Sequence, residues 1–251
     1  MAEPALFCRG AGGAAVSEIL DRYWQVYLGF GIPMTGLAMT IWILLLSVLF
    51  GTVLAIPMAI WRSSSNRWVS VPVRVYTFVF RGTPLYVQLL LIYTGLFSLS
   101  VVRGTPLLAT FFRDGFNCVI LAFTINTCAY MTEVLAGAIR AIPHGEIEAA
   151  QAFGFSRFRL YTKIILPSAF RRALPFYSNE VILVLHSTSL AFTATVPELL
   201  KVARDVNSAT FNSLPAFGIA AILYAILAMV LVALFRKAEK KWLGFLKPAA
   251  I

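Results

Sequence analysis

Residues 25–61 include no charged side chain. A bilayer's hydrocarbon layer is about 30 Å thick and takes about 20 apolar residues to cross as a helix. Inside it, every backbone N–H and C=O must find a partner within the segment, so an uncharged run of this length is a membrane-crossing helix, placed over residues 36–60. Four further runs between charges repeat the pattern. Residues 82–102 are clean, and residues 115–140 hold only Glu133 before the closing arginine. Residues 181–197, starting near Pro175, are interrupted by Ser, Thr and His, and residues 206–235 contain the last run. The expected fold is an all-α integral membrane protein with five transmembrane helices. Charged residues make up 13% of the chain and hydrophobic ones 59%, whereas soluble domains are near a quarter charged, so little is left for a soluble module.

Five crossings put the termini on opposite sides. With the N-terminus outside, the inner segments hold Arg62, Arg67, Arg74 and Arg81. They also hold Arg140, Arg157, Arg159, Lys163, Arg171 and Arg172, then Arg236, Lys237, Lys240, Lys241 and Lys247. Only Arg9, Arg22, Arg103, Arg113, Lys201 and Arg204 fall outside. The positive-inside bias therefore predicts N-out and C-cytoplasmic. The net charge of +10 reads as orientation and contact with membrane lipids, with no nucleic acid as partner. Cys8, Cys118 and Cys128 show no CxxC or Cys/His spacing, so neither a metal site nor a disulfide framework is expected. Residues 1–30 read as a periplasmic leader and N-terminal segment, flexible around Gly10, Gly12 and Gly13 and without a signal-peptide pattern. Residues 31–251 read as one transmembrane domain.

The longest inner loop, residues 141–173, has structure of its own. Pro143-His144-Gly145 is a turn, and residues 146–153 form a short helix with acids in the first turn, where the helix dipole favours them. Gly154 suits a left-handed C-cap with Phe155 as its apolar contact. Ser156 can cap a second helix carrying Arg157, Arg159 and Lys163 and ending at Leu166-Pro167. Ala149 and Ala150 make a small-residue patch that another protein could approach closely. The loop is therefore either a docking knob for a cytosolic partner or an ordinary cover over helix ends.

Glu148-Ala149-Ala150, then Gly154, then Ile165-Leu166-Pro167 resembles the EAA signature of ABC importer permeases. Arg81-Gly82-Thr83-Pro84 followed by Gln88 resembles the lead-in to the second helix in the polar amino-acid branch of that family. Ala129-Tyr130-Met131-Thr132-Glu133 through Arg140 resembles its third-helix exit. Ser178-Asn179-Glu180-Val181 and Leu185-His186-Ser187-Thr188 look like its histidine/lysine/arginine/ornithine permeases. The resemblance covers residues 34–247 and implies a type I (MetI-like) permease fold in a bacterial inner membrane. It also implies that Glu148, Ala149, Ala150 and Gly154 couple the chain to a cytosolic ABC ATPase, itself a dimer. A second homologous permease and a periplasmic substrate-binding protein complete the implied assembly. No G-x-x-x-x-G-K-[ST] run occurs, so no ATPase site and no cofactor is expected on this chain, with ATP and Mg bound by the partner.

Acids inside the apolar runs are costly, about 2.5–3.5 kcal/mol each at a helix centre, and mark structure or transport. Glu133 is either a cation-attracting gate or a structural carboxylate paired with a basic residue of another helix. The resemblance favours pairing, since the family carries this acid whatever it imports. Glu180 shares a helical face with Leu183, Val184, Ser187, Thr188 and Ala191. The resembled family often has a lysine where this chain has His186. An acid at Glu180 and the missing lysine both lower the cost of admitting a cation. The candidate substrate path is Asn179, Glu180, Ser187, Thr188 and Glu133. Two functions stand: a permease subunit importing basic amino acids on a partner's ATP hydrolysis, or a self-sufficient secondary carrier or channel. The cytoplasmic loop and the odd number of spans favour the first.

Overall fold

The computed structural model describes residues 11–243, and within them the chain is helical almost throughout. Helix α1 (Ala11–Leu28) precedes α2 (Gly36–Ser63), α3 (Arg67–Gly82) and α4 (Leu85–Leu90), which runs on as a π-turn over Leu91–Leu96. Two short helices, α5 (Ser100–Gly104) and α6 (Pro106–Arg113), lead to α7 (Gly115–Arg140). The loop helices α8 (His144–Ala152) and α9 (Arg157–Leu160) come next, then a π-turn over Tyr161–Ile165 and α10 (Leu166–Ser187). A 3₁₀ segment (Thr188–Ala194), α11 (Leu199–Thr210) and α12 (Ser213–Trp242) complete the order. The one β-bridge pairs Gly36 with Glu198 among the described residues.

Three described helices are long and apolar enough to cross a membrane: α2, α7 and α12. The first and third expected spans were read nearly to the residue. The second was not. Thr83-Pro84 breaks the run, and α3 and the helix over Leu85–Leu96 meet at 101°. The cause is local: proline has no N–H and pushes the residue before it into extended conformation, where Thr83 lies at φ −110° and ψ 142°. Counting that bent pair as one crossing gives up to four on this measure, not five. The remaining expected span is divided, because α10 carries Arg171, Arg172 and Glu180 and passes into the 3₁₀ segment. There Thr188, Ser189 and Thr193 each donate to the carbonyl three residues back, at 2.6–2.8 Å. Such hydroxyls compete with helical hydrogen bonding and tighten the turn.

The chain divides into two compact units. One draws on Met1–Leu45, Leu90–Val119 and Leu185–Met229. Its core packs Ile19 and Tyr27 of α1 with Leu199, Val202, Ala203 and Val206 of α11 and Ala216, Ile219 and Ala220 of α12. The Tyr27 hydroxyl donates to the Ala216 carbonyl at 2.8 Å. Helix α1 thus replaces the flexible leader expected at Gly12 and Gly13, while Gly10, Cys8, Arg9 and Lys247 lie outside the described residues.

The second unit draws on Leu46–Leu89, Ile120–Val184 and Val230–Ile251. On α2, Ser47, Gly51, Ala55 and Ala59 recur every fourth residue, and Ser47, Ala55 and Ala59 are buried with no exposure. Small residues at this spacing let membrane helices approach closely. A Cβ added at Gly51 would stand 2.8 Å from the Thr127 side chain of α7. Gly51→Val should therefore overpack the α2–α7 contact by about 1–3 kcal/mol. The melting temperature of the detergent-solubilised protein should fall by several degrees, while the same change at open Gly137 should leave it in place.

Candidate functional site

The break at Thr83-Pro84 frees backbone carbonyls that lipid cannot satisfy. Gln88, one turn into α4, takes them over: its Nε2 donates to Phe80 O at 2.8 Å, Thr83 O at 3.0 Å and Thr83 Oγ1 at 2.7 Å. Asn126 of α7 adds a second donor to Phe80 O at 3.1 Å and donates to Gln88 Oε1 at 3.2 Å. The arginine that ends α3 is fixed in the same place. Its guanidinium lies 5.1 Å from the Tyr130 ring centre, and the Tyr130 hydroxyl donates to Arg81 O at 3.4 Å. The Arg-Gly-Thr-Pro-x-x-x-Gln run therefore has a physical meaning: it turns the chain sharply where the charge-free run begins and supplies donors to the carbonyls that the turn frees.

Glu180 lies in the same unit, buried at 8% exposure and with no hydrogen-bond partner among the described residues. Arg81 is the charge that acts on it. A buried carboxylate without a donor is costly, and no side-chain or backbone donor among the described residues offsets that cost here. The stripe expected around it is not uniform. Glu180, Val184, Thr188 and Ala191 are buried, Leu183 is exposed, and Asn179 turns outward. Thr188 is engaged with the Leu185 carbonyl at 2.6 Å and lies 3.3 Å from the Tyr224 hydroxyl. Ser187 is half-buried and has a partner of its own. The face expected to line an open path is therefore mostly turned into the chain, with Glu180 its one unsatisfied acid.

Glu133 is arranged differently. Arg62 Nε of α2 donates to Glu133 Oε1 at 2.6 Å, and Thr77 Oγ1 of α3 donates to the same oxygen at 2.7 Å. One carboxylate thus ties three helices, and its charge is already matched. A third buried acid escaped the sequence reading. Glu198 is fully buried and caps α11 by accepting from Leu200 N and Lys201 N at 2.7 Å each, with the Tyr224 hydroxyl donating at 2.8 Å. Its signal was present in the sequence: an acid directly after Pro197 and before the amphipathic run of Leu199, Val202, Ala203 and Val206.

In the loop, α8 begins at His144, two residues earlier than expected. Gly154 follows its C-cap at φ +75°. Gly154 N donates to Gln151 O at 2.9 Å and Phe155 N to Ala150 O at 3.1 Å, the paired bonds of a Schellman motif. Ser156 accepts from Arg159 N at 3.4 Å as the N-cap of α9. Pro167 does not end that helix as expected. It sits in the first turn of α10, where its missing N–H costs nothing, after the π-turn has realigned the chain. Arg172 Nη2 donates to Glu146 Oε1 at 3.4 Å and links α10 to α8. Ala150, expected to face a partner, is instead buried at 7% exposure, while Glu148 and Ala149 are exposed. The outward side carries two aromatics that the sequence reading passed over, Phe153 at 84% and Phe158 at 78% exposure.

Apolar crossing helices, a braced helix break and a capped loop that displays aromatics define a helical membrane permease. The chain belongs to the binding-protein-dependent transport system inner membrane component family, whose model matches residues 47–244. It is 60% identical over 234 residues to the histidine/lysine/arginine/ornithine transport system permease protein HisM of Escherichia coli strain K12, covering 93% of this chain and 98% of that one. It superposes on a chain of an amino acid ABC transporter solved with histidines at TM-score 0.74 and 27% identity, over 88% of this chain and 96% of that one. A chain of the inward-facing MetNI methionine transporter matches at TM-score 0.71 over 88% and 97%, and at 17% identity shows the fold alone. The fold is the MetI-like type I ABC importer permease fold, and the chain is an inner-membrane subunit that works with a separate ATPase and a substrate-binding protein.

The Glu133 clamp makes a direct expectation. Arg62→Met leaves a partly buried carboxylate facing apolar side chains and should cost up to about 3–5 kcal/mol. Arg62→Met combined with Glu133→Met should recover most of that loss in thermal melts. A double variant no more stable than Arg62→Met would mean that the pair is not what joins these helices.

Proposed function

We propose that this chain is the membrane-spanning permease subunit of an ABC importer that carries basic amino acids (histidine, arginine, lysine and ornithine) into the cytoplasm on ATP hydrolysed by its partner. One observation carries the reading: Glu180 is a buried carboxylate without a hydrogen-bond donor in a chain 60% identical to a permease named for those substrates. Glu180 attracts the cationic group, Ser187 and Thr188 follow about two turns on, where α10 passes into the 3₁₀ segment, and Asn179 sits beside the acid at the exposed edge. Glu133 is a structural clamp, since Arg62 and Thr77 already occupy it. His186 in place of a lysine keeps a fixed positive charge away from the path.

The finer architecture follows the same reading. Five crossings, with α10 and its 3₁₀ extension as the fourth, put the N-terminus outside and gather the basic residues inside. Residues 1–30 are the periplasmic segment, residues 31–251 the permease domain, and residues 141–173 the coupling loop. Glu148, Ala149 and Gly154 form the coupling surface with Phe153 and Phe158, while buried Ala150 lets α8 pack closely behind them. The ATPase is a dimer that binds ATP and Mg. A second homologous permease and a periplasmic binding protein complete the complex, and this chain itself catalyses nothing and holds no cofactor. A secondary carrier or channel finds no support in a chain of this family.

An opposite charge about 4 Å away is worth about 4 kcal/mol at an effective dielectric near 20, before desolvation is subtracted. A net loss of one to two kcal/mol is about ten- to thirtyfold in affinity or rate. Glu180→Gln should therefore lower arginine uptake by about that factor in proteoliposomes holding the whole complex, with the ATPase still bound. Wild-type uptake by this variant would remove Glu180 from the path. Gly154→Leu should act elsewhere. The residue is left-handed, so a side chain strains the cap by about 1–2 kcal/mol. Substrate-stimulated ATP hydrolysis should drop while basal hydrolysis persists, and normal stimulation would sink the coupling role.

A further inference from the structure

Away from the loop, the π-turn over Leu91–Leu96 and the helices α5 and α6 border an open hollow of about 500 Å³. π-turns recur where a protein needs an irregular binding surface. Tyr93, Thr94, Ser98, Arg103 and Arg113 bound this hollow, with Phe112 on its apolar side. Arg103 is held in place, its Nη2 donating to Ser98 O at 2.7 Å. No acid bounds the hollow, and neither arginine has an ion-pair partner among the described residues. The nearest acid in sequence, Asp114, is turned to the start of α7, where its Oδ1 accepts from Phe116 N at 3.0 Å. Around the hollow, Leu91, Val101, Leu107 and Phe111 stand exposed.

The Thr94 and Ser98 hydroxyls donate to Leu90 O at 2.7 Å and Gly95 O at 2.6 Å. That leaves the two guanidinium groups, without an ion-pair partner, as the groups that suit a phosphate, which arginine can grip with two parallel hydrogen bonds. Exposed apolar side chains on the same short helices suit acyl chains. We propose that this hollow binds the headgroup phosphate of an anionic membrane phospholipid, with the acyl chains lying against Leu91, Val101 and Leu107. A free phosphate would use only the arginines. A neighbouring protein would have to bring its own acid to the same place. The lipid satisfies both halves at once, and it fixes the short helices at the membrane surface through charge and apolar contact together.

The test is native mass spectrometry of the assembled importer, released from nanodiscs of equal phosphatidylglycerol and phosphatidylcholine. Wild type should retain phosphatidylglycerol with about thirtyfold preference, the scale set by two cationic side chains near a headgroup at about 1 kcal/mol each. R103Q combined with R113Q should abolish the preference. R113Q alone, at an exposed residue, should reduce it severalfold without risk to the fold, and R22Q should leave it unchanged. Undiminished preference in R113Q and in the double variant would overturn the proposal. So would complete displacement of the lipid by millimolar inorganic phosphate, which would mark a plain anion site. A photo-crosslinker at Leu107 should label lipid, and labelling of another protein subunit instead would assign the surface to that subunit.

Discussion

A backbone carbonyl in lipid must have a donor, and this structure is organised around the places where helix geometry cannot supply one. A bend of 101° at Thr83-Pro84 takes the Phe80 and Thr83 carbonyls out of the helical ladder, and leaving them unpaired away from water would be costly. Gln88 supplies the donors from the far side of the bend, and Asn126 supplies one more from α7. The bend can then persist at the start of the charge-free run, and with it the place of Arg81 beside Tyr130. The 3₁₀ segment after α10 solves the same problem with its own hydroxyls. At both of these irregular places a side chain has taken over hydrogen bonds that the regular helix would have made.

The three buried acids answer a parallel question about charge. Glu133 meets an arginine and a threonine, and Glu198 meets two backbone amides and a tyrosine. Both are satisfied by the fold and therefore fix it. Glu180 meets no donor, only the field of Arg81. An unpaired buried acid is destabilising, and it is this property that the proposed substrate role of Glu180 rests on. Burial alone does not separate the three, since all are shielded from solvent to a large extent. What separates them is whether the partner belongs to the chain.

Much of this was legible in the sequence, and the exceptions have identifiable causes. Helix α7 was found because Asp114 and Arg140 mark both its ends, and α2 because Arg62 marks its end, its start at Gly36 lying inside a charge-free run. The Gly154 cap was found because its signal is local, an acid-led helix, a glycine and an apolar residue in order. The second expected span, residues 82–102, contains the helix over Leu85–Leu96, but hydropathy registers neither the bend that Thr83-Pro84 makes at its start nor the break before α5. Helix α11 was missed because its apolar face repeats in a stretch too polar to span, where the search was for spans. Ala150 was assigned outward because sequence gives a helix's residues without saying which face meets the body behind it. The clamp on Glu133 was unreadable in detail, since Arg62 and Thr77 lie far away in the chain and the pairing exists only once three helices have met.

The loop shows how stability and coupling divide between neighbouring residues. Ala150 and the Schellman bonds face inward and hold α8, and Arg172 ties its first turn to α10. Phe153 and Phe158 face outward and contribute little to the fold of the isolated chain, for water surrounds them on most sides. Large aromatics left so exposed are unfavourable in a free subunit and favourable at the centre of an interface. In the proposed coupling role the outer residues are the ones a partner can grip, while the inner ones are fixed to α10. That helix holds both Arg172, which ties it to Glu146 of α8, and Glu180 about two turns further on, so the loop and the unpaired acid share one continuous helix.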